Sequence, residues 1–174
     1  MSLAAERAAD IKLIIFDVDG VLTDGGIYVG DHGEMYKPFN VKDGLAITTW
    51  HKLGLRSAII TGRQSEMVRI RAEKLGITDL WQGNPDKRAA YEALKEKYSL
   101  SDKEIAYIGD DLIDLPIMTK VGLPIAVGDA VFEVKKYALL VTEQTGGHGA
   151  VREAIEFILK IQGIWDKIVN KYLE

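Results

Sequence analysis

Short apolar runs recur along the chain and alternate with stretches of helical periodicity. The first run begins after Lys12 and lacks the polar and apolar alternation of a half-exposed strand, so it predicts a strand buried on both faces. Comparable short runs, bounded by turn residues, predict further strands at residues 55–60, 79–82, 105–109, 123–127 and 138–141.

Helices are predicted between these strands. Leu45, Thr49 and Leu53 recur at helical spacing, and Gly54 follows as a natural C-terminal stop. Other helices are predicted at residues 65–75, 85–98, after 114, 131–136 and from about 150, with a break at 163. This alternation predicts an α/β fold, a Rossmann-like, doubly wound and mostly parallel sheet with helices on both faces.

A β-hairpin is predicted after the first strand. Two short β-prone pieces, at residues 27–29 and 34–39, flank a turn at residues 30–33. The pieces carry more apolar side chains than an isolated two-stranded ribbon can keep stable in water. We therefore expect either the domain itself or another subunit to cover the hairpin.

Composition narrows the class of protein. The 174 residues are 47% hydrophobic, enough for a sizeable core, and show no repeat or linker, so we expect one domain over residues 1–174 with a hairpin flap at about 25–39. A net charge of -4 argues against a nucleic-acid partner. The absence of cysteine excludes thiolate chemistry. No apolar run has the length of a membrane span and no signal peptide is evident, so we expect a cytoplasmic protein without a membrane partner.

Polar residues of complementary types follow four of the predicted strands. Asp17 and Asp19 follow the first strand and are expected to point the same way, because strand side chains alternate faces. The other polar positions follow the second, third and fourth strands in turn: 61–63, 87 and 110–111. In a parallel sheet these strand ends meet at one rim, where open α/β sheets bind their ligands.

Carboxylates combined with a lysine and a threonine suit phosphoryl chemistry supported by Mg²⁺, which prefers oxygen ligands. Asp110, Asp111 and Asp114 could instead favour the positive end of a helix. However, several acids placed together repel one another, and a cation relieves that repulsion better. Thr61 could be a helix N-cap, and Lys87, taken alone, could be a solvated surface lysine.

The order Asp-x-Asp, Thr, Lys, Asp-Asp resembles that of the haloacid dehalogenase-like phosphatases over nearly the whole chain. Within that superfamily, five stretches together resemble the family of 3-deoxy-D-manno-octulosonate 8-phosphate phosphatases, at residues 17–24, 40–44, 60–63, 109–116 and 146–153. The family acts on a small phosphorylated sugar acid during lipopolysaccharide biosynthesis. The same substrate class is therefore expected for this chain.

The resemblance implies a role for each residue at the rim. Asp17 would be the nucleophile that forms an aspartyl-phosphate. Asp19 would protonate the leaving sugar alcohol and then activate water. Thr61 and Lys87 would complete the catalytic set. Mg²⁺ would be held by the Asp17 carboxylate, the Asp19 backbone carbonyl and Asp110, with two supporting carboxylates, Asp111 and Asp114.

The resemblance also implies a substrate-binding set and an assembly. The set comprises Asp19, Asn40, Val41, Lys42, Asp43, Gly44, Thr48, Gly62, Arg63, Arg71, Lys87 and Arg152. Guanidinium groups match carboxylate and phosphate anions well, although Arg71 could equally lie on a solvated helix face and Arg152 could be an ordinary first-turn arginine. The family is cap-free and homotetrameric, so hairpins from neighbouring subunits would help to close the site.

Three other interpretations remain open from the sequence alone. The nearest is a nonulosonate 9-phosphate phosphatase of the sialic acid type, which Arg63 after Thr61-Gly62 disfavours. A second is a phospho-signalling receiver-like domain, in which the acidic pair would precede the phosphoacceptor and Asp19 would lack a counterpart. A third is a catalytically silent oligomerisation module, which is hard to reconcile with every catalytic position being filled.

Overall fold

A computed structural model describes residues 2–173. Its main sheet has six strands in the order β5-β4-β1-β6-β7-β8, and all neighbouring strands are parallel. These strands are β1 (Leu13–Phe16), β4 (Arg56–Ile60), β5 (Asp79–Trp81), β6 (Ile105–Gly109), β7 (Leu123–Ala126) and β8 (Leu140–Val141). A separate antiparallel hairpin is formed by β2 (Tyr28–Gly30) and β3 (Gly33–Tyr36).

The helices lie between the strands, as the alternation predicts. They are α1 (Leu3–Ala8), α2 (Val41–Lys52), α3 (Glu66–Leu75), α4 (Arg88–Tyr98), α5 (Leu115–Met118), α6 (Phe132–Tyr137), α7 (Ala150–Ile161) and α8 (Trp165–Asn170). All six predicted sheet strands and the predicted α/β class are confirmed. The break at Gly163 is also confirmed, since this glycine has a φ of 70° between α7 and α8.

Strand β1 lies at the centre of the sheet because its side chains are apolar on both faces. All four of its residues are fully buried, and it pairs with β4 on one side and β6 on the other. The chain runs from β1 outward through β4 to β5 and then returns to the opposite side of β1 at β6. Crevices at such reversals of strand order are the usual ligand sites of open α/β sheets.

Three element boundaries differ from the sequence predictions. Strand β1 ends at Phe16, so the two aspartates after it stand in the following loop rather than in the strand. Helix α4 begins at Arg88, not at residue 85. The hairpin ladder ends at Tyr36 rather than at residue 39, because Lys37 turns inward and Pro38 has no backbone N–H to continue the ladder.

Helix α1 was not expected from the sequence. It is short and rich in alanine, so it carries little periodic signal, but Ser2 caps its N-terminus and Ala4 and Ala8 join the hydrophobic core. None of the helices within residues 2–173 is long and apolar enough to cross a membrane.

The hairpin follows the loop after β1 and is separate from the main sheet. The rings of Tyr28 and Tyr36 stack across it with centroids 4.5 Å apart. Three of its apolar side chains point into solvent in the single chain: Ile27, Val29 and Met35. The single chain therefore does not cover these side chains, and the expectation that the domain itself covers them is not met.

Candidate active site

A cavity of about 260 Å³ opens at the carboxyl ends of β1, β4 and β6. Residues predicted from all three strand ends line it together: Asp17, Asp19, Thr61, Gly62, Arg63, Asp110 and Asp111. Gly25 and Ile113 complete the lining. The rim predicted from the sequence is therefore a real concave site.

An ion pair lies at the base of this cavity. The Nζ atom of Lys87 is 2.8 Å from Asp17 Oδ1 and 2.7 Å from Asp114 Oδ1, and the lysine side chain is fully buried. A buried ammonium is stable only when anions compensate for its lost hydration. The alternative of a solvated surface lysine is therefore wrong.

Asp114 is saturated by protein donors. Its Oδ1 accepts hydrogen bonds from Lys87 and, at 2.6 Å, from the hydroxyl of Tyr107, while its Oδ2 accepts from the backbone N–H groups of Asp110 and Asp111. The Lys87 ammonium also donates to the Tyr107 hydroxyl at 3.0 Å. No lone pair of Asp114 is left for another ligand, so this carboxylate supports its neighbours.

Burial and repulsion between the carboxylates raise the pKa values of the other two acids, Asp17 and Asp110. Burial, together with the charge of Asp114, raises the pKa of Asp17 to about 6, although Lys87 opposes the shift. Burial followed by the charges of Asp114 and Asp17 raises the pKa of Asp110 to about 8. Asp110 Oδ1 is also buried without a hydrogen-bond partner. A bound cation would stabilise the ionised forms of these clustered carboxyl groups.

The geometry of the acids fits a divalent metal. One carboxylate oxygen from each of Asp17, Asp110 and Asp114 lies within 4.8 Å of the others. Since Asp114 is saturated, Asp17 and Asp110 remain as available carboxylate ligands. Gly20 allows Asp110 to approach the loop after β1, because its φ is 92° and a Cβ there would lie 2.1 Å from Asp110 Oδ2. Mg²⁺ typically takes only one or two protein carboxylates.

Thr61 is buried at the end of β4, and its Oγ1 accepts a long hydrogen bond of 3.4 Å from the Arg63 backbone N–H. Helix α3 begins later, with Ser65 in its N-cap position. Thr61 is therefore not the N-cap of this helix, and the alternative weighed from the sequence is wrong. Its side chain faces the cavity instead.

A second charged cluster joins the hairpin to the cavity. Lys37, whose side chain is 1% exposed, forms ion pairs with Asp19 Oδ1 and, at 3.1 Å, with Glu34 Oε1. Glu34 Oε1 also accepts from Arg63 at 3.2 Å, and Arg63 Nε lies 4.0 Å from Asp19 Oδ2. Sequence reasoning singled out neither Lys37 nor Glu34, because nothing in the hairpin pattern indicates that they fold back onto the first loop.

The start of α2 does not line this cavity. Asn40, Asp43, Gly44 and Arg71 line a separate, smaller cavity instead. Asn40 caps the helix, since its Oδ1 accepts from the Lys42 backbone N–H at 2.8 Å, and its Nδ2 donates to the Gly147 carbonyl at 3.0 Å. Arg71 donates to the Asn40 carbonyl at 3.1 Å. Its Nη2 atom lies 2.5 Å from the position that a Cβ at Gly44 would take, so the glycine permits this approach.

Asp43 has a structural partner. Its Oδ1 accepts from the Arg152 backbone N–H at 2.8 Å, which ties the start of α2 to the start of α7. Burial raises the pKa of this carboxyl despite that bond. Val41 and Lys42 are exposed on the first turn of α2, and Thr48 donates to the Leu45 carbonyl one turn further on.

The structure does not bring the Arg152 side chain to the cavity. Its guanidinium pairs with Glu156 and lies 5.0 Å from the ring centroid of Trp165, in a different cavity. Asp111 lines the candidate active-site cavity and caps the short 3₁₀ turn Leu112–Asp114.

The fold and the acidic rim define a class of hydrolase, and comparison with known proteins identifies it. A sequence profile of the haloacid dehalogenase-like hydrolases matches residues 68–155. The 3-deoxy-D-manno-octulosonate 8-phosphate phosphatase KdsC of Escherichia coli strain K12 is 47% identical over 161 residues, 92% of this chain and 86% of the relative.

Two solved structures extend the comparison. The 3-deoxy-D-manno-octulosonate 8-phosphate phosphatase from Yersinia pestis superposes with a TM-score of 0.92 at 46% identity, over 94% of this chain and 89% of that one. The enzyme of the same name from Moraxella catarrhalis, solved with a magnesium ion, a phosphate ion and KDO, gives 0.94 at 40% identity over 97% of both chains. This chain belongs to the haloacid dehalogenase-like hydrolases and, within them, to the 3-deoxy-D-manno-octulosonate 8-phosphate phosphatase family.

Proposed function

We propose that this chain is a Mg²⁺-dependent phosphatase. It hydrolyses 3-deoxy-D-manno-octulosonate 8-phosphate to the free sugar acid and phosphate, a step of lipopolysaccharide biosynthesis. The observation that carries the proposal is the buried Lys87–Asp17 pair at 2.8 Å, placed at the base of a cavity that Asp19, Thr61 and Asp110 also line. The family membership supports the same substrate, whereas the receiver-like and silent-module alternatives do not fit it.

Asp17 is the proposed nucleophile. Its carboxylate attacks phosphorus, the bond from phosphorus to the sugar oxygen breaks, and an aspartyl-phosphate forms. Lys87 favours the ionised carboxylate, as its effect on the pKa of Asp17 indicates. Thr61, together with the Gly62 backbone, lies where donors would stabilise the transferring phosphoryl group.

Asp19 is the proposed general acid and base. Its carboxyl proton passes to the departing sugar oxygen, and the resulting carboxylate then takes a proton from the water that attacks the aspartyl-phosphate. This second attack releases inorganic phosphate and restores Asp17. Asp19 suits the task because it is half-buried at the cavity wall, within reach of both the leaving group and solvent.

Mg²⁺ is the cofactor that the acidic set fits. Asp17, the backbone carbonyl of Asp19 and Asp110 would hold it, with Asp111 and Asp114 in support. When bound, the ion offsets negative charge on the transferring phosphoryl group and on the clustered carboxylates. The orphaned Oδ1 of Asp110 is the structural sign that supports this assignment.

The sugar acid is proposed to lie between the catalytic cavity and the start of α2. Candidate contacts there are Asn40, Val41, Lys42, Asp43, Gly44, Thr48, Gly62, Arg63 and Arg71. Arg152 pairs with Glu156 and does not reach the cavity of its own chain. It would contact the substrate only after its side chain moves, or in the site of a neighbouring subunit. We further propose a single-domain chain that assembles as a homotetramer and acts in the cytoplasm.

A substrate panel tests the proposal. Phosphate release from 3-deoxy-D-manno-octulosonate 8-phosphate should require Mg²⁺, should exceed release from a nonulosonate 9-phosphate, and should fall below detection in Asp17→Asn. The exchange is nearly isosteric, so circular dichroism should be unchanged. Faster release from the nonulosonate phosphate would overturn the substrate assignment, and an active Asp17→Asn variant would overturn the mechanism.

A further inference from the structure

We infer that Lys37 of the hairpin is a positioning residue for Asp19, and that Glu34 holds Lys37 in place. The inference rests on the proposed role of Asp19 as general acid and base. The hairpin would then act on the site of its own chain, in addition to its expected role in closing the site between subunits. The evidence is the contacts, the burial and the charge balance of the four residues involved.

The contacts form a closed circuit. Lys37 bridges Asp19 Oδ1 and Glu34 Oε1, and Arg63 bridges Glu34 Oε1, at 3.2 Å, and the Oδ2 side of Asp19, at 4.0 Å. Each oxygen of Asp19 therefore faces a different cation. Lys37 donates to one oxygen of Asp19, whereas Arg63 is beyond hydrogen-bond distance of the other and acts there only as a nearby charge. The Lys37 contact restricts the orientation of the carboxyl group, and a general acid must present its proton in a defined direction.

Burial makes the Lys37 contact unlike a surface ion pair. The lysine side chain is 1% exposed, and Asp19 and Glu34 are 21% and 18% exposed. Exposed lysine–carboxylate pairs contribute little because water screens them and the side chains stay mobile. Lys37, by contrast, has lost its hydration and depends on these two carboxylates for compensation.

The charges of the cluster balance. Two carboxylates, Asp19 and Glu34, face two cations, Lys37 and Arg63. Glu34 accepts from both cations through one oxygen, so it couples the hairpin lysine to the arginine proposed to bind substrate. We expect Glu34 to act on Asp19 only through Lys37 and Arg63. Replacing Glu34 should therefore lower kcat/KM less than replacing Lys37.

A leaving-group comparison measures this role directly. Lys37→Met removes the ammonium but keeps an unbranched side chain. If Lys37 positions the proton donor, kcat/KM should fall about tenfold or more with the sugar phosphate, whose alkoxide must be protonated. With p-nitrophenyl phosphate the loss should stay under about threefold, because that phenolate leaves without protonation. Glu34→Gln should also lower kcat/KM more for the sugar phosphate than for p-nitrophenyl phosphate, but by a smaller factor. Lys37→Arg should restore part of the activity.

A double-mutant cycle gives a second readout that uses the sugar phosphate alone. Asp19→Asn removes the proton donor, so adding Lys37→Met to it should cost little further activity. Residues that act independently would instead multiply their losses. The matched control is Lys12→Met, which removes a lysine paired with Glu104 at 2.6 Å outside the cavity and should leave both substrates unaffected.

The outcomes separate this inference from the proposed function. kcat/KM reports only the steps up to the aspartyl-phosphate, before the water attack that both substrates share. If Asp19→Asn lowered kcat/KM equally for both substrates, the assignment of Asp19 as the acid for the leaving group would fail. If Asp19→Asn were selective but Lys37→Met and Glu34→Gln were not, only the positioning role would fail. A Lys37→Met variant with a raised KM for the sugar phosphate and an unchanged kcat would overturn the inference too, because Lys37 would then be a substrate ligand.

Discussion

At the scale of single residues, the base of the site depends on a hydroxyl that no motif contains. Tyr107 is fully buried in β6, donates to Asp114 Oδ1 at 2.6 Å and accepts from Lys87 at 3.0 Å. Lys87 in turn lies 2.8 Å from the proposed nucleophile Asp17. Tyr107 contacts both the lysine and its partner Asp114, so it helps to fix where the ammonium points.

We therefore expect Tyr107→Phe to lower kcat by about tenfold with little change in KM, because an unsatisfied buried partner disturbs a charged network by 1–3 kcal/mol. The control is Tyr91→Phe. Tyr91 is equally buried and donates to Asp102 at 2.5 Å, but it lies away from the cavity. Steady-state kinetics on both variants checks the prediction. An equal loss of kcat in the two variants would mean that reduced stability alone explains the effect.

The acids at the site should make the metal-free protein less stable as pH rises. The folded pKa of Asp110, about 8, lies above the ordinary value of 3.8, so the folded state keeps a proton that the unfolded state has lost. Stability is then lost as pH rises from about 4 through 8. Asp17, raised to about 6, adds to the same trend.

Asp110→Asn should relieve this loss, because the amide is neutral at every pH. In EDTA, thermal unfolding should show the variant gaining stability over the wild type at pH 8 relative to pH 5. Mg²⁺ should stabilise the wild type and not the variant. Asp111→Asn, at the exposed turn position, should follow the wild-type pH dependence. A pH-independent difference between Asp110→Asn and the wild type would contradict the prediction.

At the scale of elements, the start of α2 combines a helix cap with a tie to the glycine-rich loop. Asn40→Ala removes the cap bond to Lys42 and the bond to the Gly147 carbonyl. We expect a loss of about 1–2 kcal/mol in unfolding free energy and a higher KM, since the turn proposed to bind the substrate loosens.

Ser65→Ala is the matched control for that cap. Ser65 holds the N-cap position of α3, but its hydroxyl makes no capping bond and is buried without a partner. Its removal should be neutral or slightly stabilising. Chemical denaturation of both variants compares the two caps, and similar losses would mean that N-cap hydrogen bonds do not explain the Asn40 effect.

The elements also show what sequence could and could not predict. Buried parallel strands leave continuous apolar runs, so β1, β4 and β6 and the polar residues after them were predictable, as was their meeting at one rim. Contacts that depend on where a flexible arm folds carry no such pattern. Lys37 reaches Asp19 only because the hairpin turns inward. The Arg152 side chain points to α8, which its place in the first turn of α7 does not reveal.

At the scale of the whole molecule, one face of the hairpin contacts the cavity and the other is exposed to solvent. Inward, it carries Lys37 and Glu34 to the cavity wall. Outward, it exposes adjoining apolar side chains, among them Val29 at 68% and Met35 at 65%. Soluble proteins rarely leave such a patch free, and a patch beside an active site favours association between copies of the chain.

Val29→Glu should therefore weaken the proposed tetramer. The side chain is exposed in the single chain, so the change costs the monomer little, but it places a charge in an apolar interface. Sedimentation should show smaller species, and phosphatase activity should fall together with the tetramer fraction as protein concentration decreases. Leu3→Glu, which adds the same charge at an exposed position on α1, should leave both unchanged. An intact, fully active Val29→Glu tetramer would place the subunit contacts elsewhere and leave the hairpin with its inward role alone.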